Sequence, residues 1–191
     1  MTEADSPRKR ELLAAAYRYA LSNGLADMSL RPLAKEIGSS PRVLLFLFGS
    51  KEGLIRELLA QARDDELRYL EKLRDSQGPR EAAREVWSWL AAPSHRPVLA
   101  LWVEGYARSL LGEPGPWAGF GRDTVNDWLE LLAQRQPAGS RDTPEAEAER
   151  TLLLAVLRGA LLDLLATGDI DRVTAAVEYH LQAFRQTAPP S

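Results

Sequence analysis

Apolar residues recur at helical spacing along almost the whole chain, and no long segment alternates with the period of two that marks a strand. Serine, proline and glycine interrupt this pattern often enough to predict about nine helices. The first helix is expected over about residues 7–22. Its predicted inward face consists of Leu13, Ala16, Tyr17, Ala20 and Leu21. The predicted fold is all-α.

Residues 29–48 predict two short helices joined by a tight turn. Ser29 is placed to cap the first of them, and Gly38 is placed to end it. Ser40 followed by Pro41 is a typical start for the second, since serine caps a helix and proline suits its first position. This layout is that of a helix-turn-helix, whose second helix enters the major groove of DNA. A surface hairpin in a helical bundle would show the same spacing.

The later helices are expected over about residues 80–92, 98–111, 117–134, 144–167 and 169–186. The last two are the most strongly patterned, and one of them is apolar on more than one side. A helix of that kind must be buried on both sides, which predicts contact with a second copy of the chain. The residues predicted for this contact are Leu153, Val156, Leu157, Leu161, Leu164, Val173, Val177, His180, Leu181 and Phe184. His180 is interpreted as a packed or interface histidine rather than a metal ligand.

The composition excludes several kinds of functional site. The 191 residues include no cysteine and two histidines, which leaves no disulfide or thiolate metal site. The sequence contains no motif typical of a phosphate-binding loop, of the nucleophile turn of a hydrolase or of a zinc-binding helix. No enzyme activity, cofactor or metal site is therefore predicted. The apolar runs are too short for a membrane helix, and the first residues lack the core of a signal peptide. A cytoplasmic protein without a membrane partner is expected.

Charge and aromatic residues separate the front of the chain from the rest. Residues 1–52 carry eight Lys and Arg against six Asp and Glu, whereas the whole chain carries 24 against 27. The basic front favours a polyanionic partner. All five tryptophans lie beyond residue 52, and aromatic walls with a few polar groups are typical of small-molecule pockets, although they also simply fill cores. The candidate ligand-binding residues are Trp87, Trp102, Glu104, Tyr106 and Trp128. Glu104 has an alternative role as a partner of Arg108 at i+4.

The run Leu33-Ala-Lys-Glu-Ile-Gly-Ser-Ser40, then Leu44 and Phe48-Gly-Ser-Lys-Glu-Gly-Leu54, resembles the TetR family of bacterial repressors. The resemblance implies a three-helix DNA-binding domain over residues 1–52 and a helical effector-binding and dimerisation domain over residues 53–191. It also implies a homodimer that binds a palindromic operator in double-stranded DNA and responds to a small-molecule effector. A helical module that binds a protein or a membrane, without DNA, is the alternative.

The resemblance also implies which residues contact DNA. They are Ser29, Arg31, Ser40, Pro41, Arg42, Val43, Leu45, Phe46 and Lys51. The chain departs from the family where Leu45 replaces a common tyrosine and Leu47 a frequent histidine. We therefore hypothesise that Arg31, Arg42 and Lys51 hold phosphates, while Leu45 and Phe46 touch thymine methyls or sugars. In the alternative, Phe46 turns inward and joins the core.

Overall fold

A computed structural model describes residues 6–25, 27–72, 78–112 and 114–183. Within these ranges the chain forms nine α-helices and no strand, which confirms the all-α prediction. The helices are α1 (Pro7–Asn23), α2 (Leu30–Glu36), α3 (Pro41–Phe48), α4 (Lys51–Lys72), α5 (Pro79–Ala91), α6 (Arg96–Leu110), α7 (Phe120–Gln134), α8 (Pro144–Thr167) and α9 (Ile170–Ala183).

Side-chain caps followed by proline begin three of these helices. The hydroxyl groups of Ser6, Ser40 and Thr143 accept hydrogen bonds from backbone N–H groups three residues later, at 3.1 to 3.3 Å. Each cap satisfies a donor that the first helical turn leaves unpaired. Ser29 also occupies a cap position, but its side chain makes no capping hydrogen bond.

The structure corrects two expectations about individual helices. α7 begins at Phe120 rather than near Trp117, because the chain first makes a turn in which the Phe120 N–H donates to the Trp117 carbonyl at 3.1 Å. The inward face of α1 is also shifted. Its fully buried residues are Leu12, Ala16 and Ala20, whereas the predicted Leu13, Tyr17 and Leu21 are half-buried. A narrow stripe at steps of four is sufficient because the neighbouring helices cover α1 on one side only.

The chain divides into two compact units. The first comprises Met1–Glu66 with Pro97–Thr124, so it contains α1 to α3, most of α4, and α6. Leu12, Leu33, Leu44 and Leu58 are completely buried in it. The predicted domain boundary after residue 52 stays a prediction.

The second unit comprises Leu67–Arg96 with Val125–Ser191, and in it α5 packs on both α8 and α9. The Trp87 indole N–H donates to the Thr174 hydroxyl at 3.0 Å, which joins α5 to α9 inside the unit. Arg84 on α5 binds the Glu178 carboxylate on α9 at 2.9 Å. α8 and α9 form a hairpin whose turn is closed by two hydrogen bonds from Arg172 to Asp163, at 2.6 and 2.8 Å.

Among the described helices none is both long enough and apolar enough to cross a membrane.

Candidate nucleic-acid interface

A buried contact fixes the angle between α2 and α3. Ala34 and Leu33 of α2 and Leu44 of α3 are all buried, and Ala34 is small enough for the two helices to approach closely. The Ser39 N–H donates to the Ala34 carbonyl at 2.8 Å, which closes the turn. Gly38 in this turn has a φ of +64°, a conformation in which a side chain would be strained. The turn therefore presents α3 as a rigid element.

The junction between α3 and α4 is equally tight. The Gly49 N–H donates to the Leu45 carbonyl at 2.9 Å, and the Ser50 hydroxyl accepts from the Gly53 N–H at 2.9 Å. A Cβ at Gly53 would overlap the Phe48 carbonyl oxygen, so the two helices meet closely enough to require glycine there. Gly53 was not among the predicted site residues, although it lies within the motif that carried the resemblance. This junction sets Lys51, the first residue of α4, directly after α3.

The exposed side of α3 is apolar. Phe46 is 76% exposed, Leu45 43% and Val43 38%, whereas Leu44 and Phe48 are buried. The alternative in which Phe46 joins the core is therefore wrong, because Leu44 and Phe48 already occupy the buried side of this short helix. Leu47 is half-buried.

Basic side chains accompany this surface. Arg31 and Arg42 are exposed, and neither side chain forms an ion pair or hydrogen bond with another described residue. Lys51 is half-exposed and carries no such bond either. The carboxylate of the neighbouring Glu52 is hydrogen-bonded by its own backbone N–H and by Ser50, which lowers the pKa of Glu52. Arg31, Arg42 and Lys51 are thus available to an anion.

Two basic residues at the start of α1 already have partners within the chain. The Lys9 ammonium lies 2.7 Å from the Glu57 carboxylate of α4 and 5.5 Å from the centre of the Phe48 ring. Arg8 pairs with Glu11 at 2.7 Å. Lys9 therefore ties α1 to α4.

Two of the predicted ligand residues form a pair on α6. The rings of Trp102 and Tyr106 stack with their centres 4.9 Å apart and their planes inclined by 21°. Trp102 is only 8% exposed, and its buried indole N–H has no acceptor among the described residues. A buried donor without a partner is uncommon in proteins and is consistent with a site that takes a ligand.

The other predicted ligand residues have different surroundings. Trp87 and Trp128 are buried in the second unit, and the Trp87 N–H is already satisfied by Thr174. Trp87 is explained by packing alone. The alternative partner of Glu104, Arg108, instead holds its guanidinium 5.2 Å from the centre of the Trp117 ring.

Glu104 joins α6 to the loop that follows α1. Its Oε2 accepts a hydrogen bond from the Leu25 N–H at 2.8 Å, while its Oε1 is buried without a partner among the described residues. The next residue, Gly105, packs so closely that a Cβ would lie 2.7 Å from a methyl group of Leu59 on α4. α6 is thus in direct contact with the elements that carry the helix-turn-helix. No pattern in the sequence predicts this contact, because it joins residues 79 positions apart.

Most of the residues predicted for the contact between two copies are buried within one chain. Seven are buried in the second unit, Val156 and His180 are half-buried, and Phe184 lies outside the described residues. These seven are Leu153, Leu157, Leu161, Leu164, Val173, Val177 and Leu181. They form the core of this unit because α5 packs on both α8 and α9. Side chains so completely covered have little surface left for a second copy.

A different set of α8 residues remains exposed. Its members repeat at steps of four and three and are small or apolar. They are Ala148, Leu152, Ala155, Gly159, Leu162 and Ala166, called the α8 stripe below. On α9 the exposed residues Ala176, Tyr179 and Ala183 repeat in the same way and are called the α9 stripe. The signal for both was present in the sequence, as a second 3–4 repeat beside the buried one.

The three helices α1 to α3, called the head below, have the layout of a helix-turn-helix DNA-binding domain, with a rigid and exposed second short helix. Residues 12–58 match the family described as bacterial regulatory proteins, tetR family. The match covers the helix-turn-helix part of the chain, where its motif indicated the resemblance.

Other proteins are similar to this chain over nearly its full length. The chain is 28% identical over 188 residues to the HTH-type transcriptional repressor AcnR of Corynebacterium diphtheriae, covering 96% of this chain and 95% of that protein. A solved transcriptional regulator from Rhodococcus sp. Rha1 has a similar fold, with a TM-score of 0.74, 23% identity and coverage of 96% and 98%. A regulator from Saccharomonospora viridis, crystallised with choline, gives a TM-score of 0.73 at 21% identity, with coverage of 93% and 97%.

Proposed function

We propose that this protein is a TetR-like transcriptional repressor that binds a palindromic operator in double-stranded DNA as a homodimer and is controlled by a small apolar or aromatic ligand. The observation that carries DNA binding is the exposed side of α3 beside Arg31 and Arg42, whose guanidinium groups have no partner among the described residues. The similarity to AcnR, which is named a repressor, supports repression as the direction of control.

The DNA contacts divide into two kinds. Arg31, Arg42 and Lys51 bind phosphates, which fixes the position of the head on the duplex without selecting a sequence. The first turn of α3, from the Ser40 cap through Pro41 and Val43, lies next to the bases together with Leu45 and Phe46. Ser29 at the start of α2 faces the backbone.

The second copy binds through the α8 and α9 stripes rather than through the residues first expected. Exposed small and apolar residues at 3–4 spacing suit the packing of one helix against another, and Gly159 at the middle allows close approach. A twofold arrangement would set the two recognition helices about 34 Å apart, one turn of DNA. The operator is therefore an inverted repeat.

The effector binds beside α6, where it stacks on Trp102 and Tyr106. A molecule with an aromatic or apolar body and one hydrogen-bond acceptor would satisfy the unpartnered Trp102 N–H. The Glu104 contact with Leu25 then offers a route by which displacement of α6 reaches the head. Thermal-shift screening of small aromatic acceptors tests this, since hits on the wild-type chain should weaken in Trp102→Phe. Hits that bind both chains equally would place the site elsewhere.

Selection from random-sequence duplexes with the purified full chain tests DNA recognition and dimer symmetry together. We expect an enriched inverted repeat, bound more tightly than a scrambled duplex of the same composition and more weakly as salt rises. If no sequence is enriched, the proposal fails. If the chain then binds anionic lipid vesicles in a salt-sensitive way, the alternative of a helical module that binds a membrane without DNA is favoured.

A further inference from the structure

The recognition helix α3 carries very little hydrogen-bonding chemistry. Among its eight residues, Arg42 alone has a side chain that can donate a hydrogen bond, and the Ser40 hydroxyl at its cap already accepts from the Val43 N–H at 3.3 Å. Asparagine, glutamine and lysine, which commonly read base edges, are absent from α3. Any side-chain hydrogen bond from this helix to DNA therefore rests on a single guanidinium.

The exposed apolar side of α3 has no partner within the chain's own core. Leu44 and Phe48 fill the side that faces α1 and α2, which leaves Phe46, Leu45 and Val43 in solvent. An exposed phenylalanine between two other apolar residues is typical of a binding surface. The exposed cations Arg31, Lys35 and Arg42 flank this surface in the sequence and point to a polyanionic partner.

The major groove offers one apolar feature that distinguishes a base pair, which is the C5 methyl group of thymine. The other groups that distinguish the base pairs there donate or accept hydrogen bonds, and the side chains of phenylalanine, leucine and valine can do neither. An apolar side chain in the groove thus prefers a position at which a thymine methyl covers it.

We propose that this regulator selects its operator mainly through thymine methyl groups, with Phe46 as the principal specificity-determining residue and Leu45 and Val43 beside it. This inference rests on the proposed DNA binding and names the base that α3 reads. Arg42 adds affinity at the edge of the contact through a phosphate.

Replacement of thymine by deoxyuridine tests the proposal, because it removes the methyl group and leaves every hydrogen-bonding group in place. The probe is the duplex recovered from random-sequence selection, substituted at one half-site position at a time. Loss of one buried methyl should weaken binding about fourfold, and two or three positions in each half-site should respond. Phe46→Ala should remove the difference between the thymine and deoxyuridine duplexes at one of these positions while leaving the salt dependence unchanged.

Matched controls separate this role from a structural one. Phe46 is exposed, so Phe46→Ala should keep the wild-type melting temperature, and Phe46→Leu should retain part of the discrimination. Leu111→Ala, at an exposed leucine outside the helix-turn-helix, should retain all of it. The inference is overturned if a fully deoxyuridine-substituted duplex binds within twofold of the thymine duplex, or if Phe46→Ala weakens binding to both equally. Absence of any selected sequence would instead refute the proposed function itself.

Discussion

Substitution of Leu162 by arginine should dissociate the dimer without unfolding the chain. Leu162 lies in the α8 stripe and is 48% exposed, so an arginine there enters solvent in a single copy. In a twofold dimer each substitution occurs twice in one interface, because the same patch faces itself.

The size of the effect follows from the surface that dimerisation would cover. Complete burial of a leucine side chain stabilises by about 1.5–3 kcal/mol, so the exposed half of Leu162 contributes about 1 kcal/mol in each copy. The two copies together lose about 2 kcal/mol, which weakens the dimer about 30-fold. Two guanidinium groups placed in an apolar contact increase that loss, so 30-fold is a lower bound.

Sedimentation velocity over a dilution series measures the dimer dissociation constant, and circular dichroism checks that the helices persist. Tyr179→Arg, in the α9 stripe, should behave in the same way, whereas Leu111→Arg, at an exposed leucine outside both stripes, should leave the dimer intact. A wild-type chain that is monomeric at micromolar concentration would refute the reasoning. So would variants at Leu162 and Tyr179 that associate as tightly as the wild type.

Three further outcomes are expected. Arg42→Ala and Lys51→Ala should each reduce the slope of log K for operator binding against log salt by about 0.9. Arg122→Ala, at an exposed arginine outside the helix-turn-helix, is the control and should leave the slope unchanged. Unchanged slopes for the first two variants would show that Arg42 and Lys51 do not contact phosphates. Gly53→Ala should destabilise the head by roughly 1–3 kcal/mol in thermal unfolding, because its Cβ would meet the Phe48 carbonyl, while Gly139→Ala, in open space, should be nearly neutral. Burial, and to a lesser extent the nearby Glu85 carboxylate, raise the pKa of Tyr69 to about 12, so one tyrosine should ionise late in an absorbance titration and Tyr69→Phe should abolish that step. The folded chain favours the protonated phenol of Tyr69. The contribution of this phenol to the free energy of unfolding is therefore complete below pH 10 and is lost as the pH rises toward 12.

The helix-turn-helix could be predicted because its signals are local. Ser40-Pro41 begins α3, Gly38 ends the preceding helix, and each of these acts through hydrogen bonds and backbone angles within a few residues. The orientation of Phe46 could not be predicted in the same way. An eight-residue helix of almost entirely apolar composition has no polar face to orient it, and the packing of Leu44 against α2 decides which side is buried.

The residues predicted for contact with a second copy show the same difference between local patterns and tertiary packing, on a longer helix. α8 carries one repeat through Leu153, Leu157 and Leu161 and a second through Leu152, Ala155 and Gly159, and both fit a helical seam. The contact between two copies was predicted on the repeat richer in leucine. Packing by α5 and α9 buries that repeat inside one chain and leaves the repeat of smaller residues exposed. The apolar pattern predicts that α8 is covered on two sides, but only the tertiary contacts show which side the chain covers itself.

The two exposed apolar surfaces depend on one another in the proposed function. A methyl group read by one head discriminates about fourfold, which is too little to select one operator among many sites. In a dimer the second head binds as an intramolecular event, so the discrimination at each position is multiplied and becomes about sixteenfold per symmetric pair of thymines. Leu162→Arg should therefore weaken operator binding more than Phe46→Ala does, and it should reduce sequence selectivity although it lies outside the recognition helix. Equal selectivity for a chain that no longer dimerises would show that a single head reads the operator by itself.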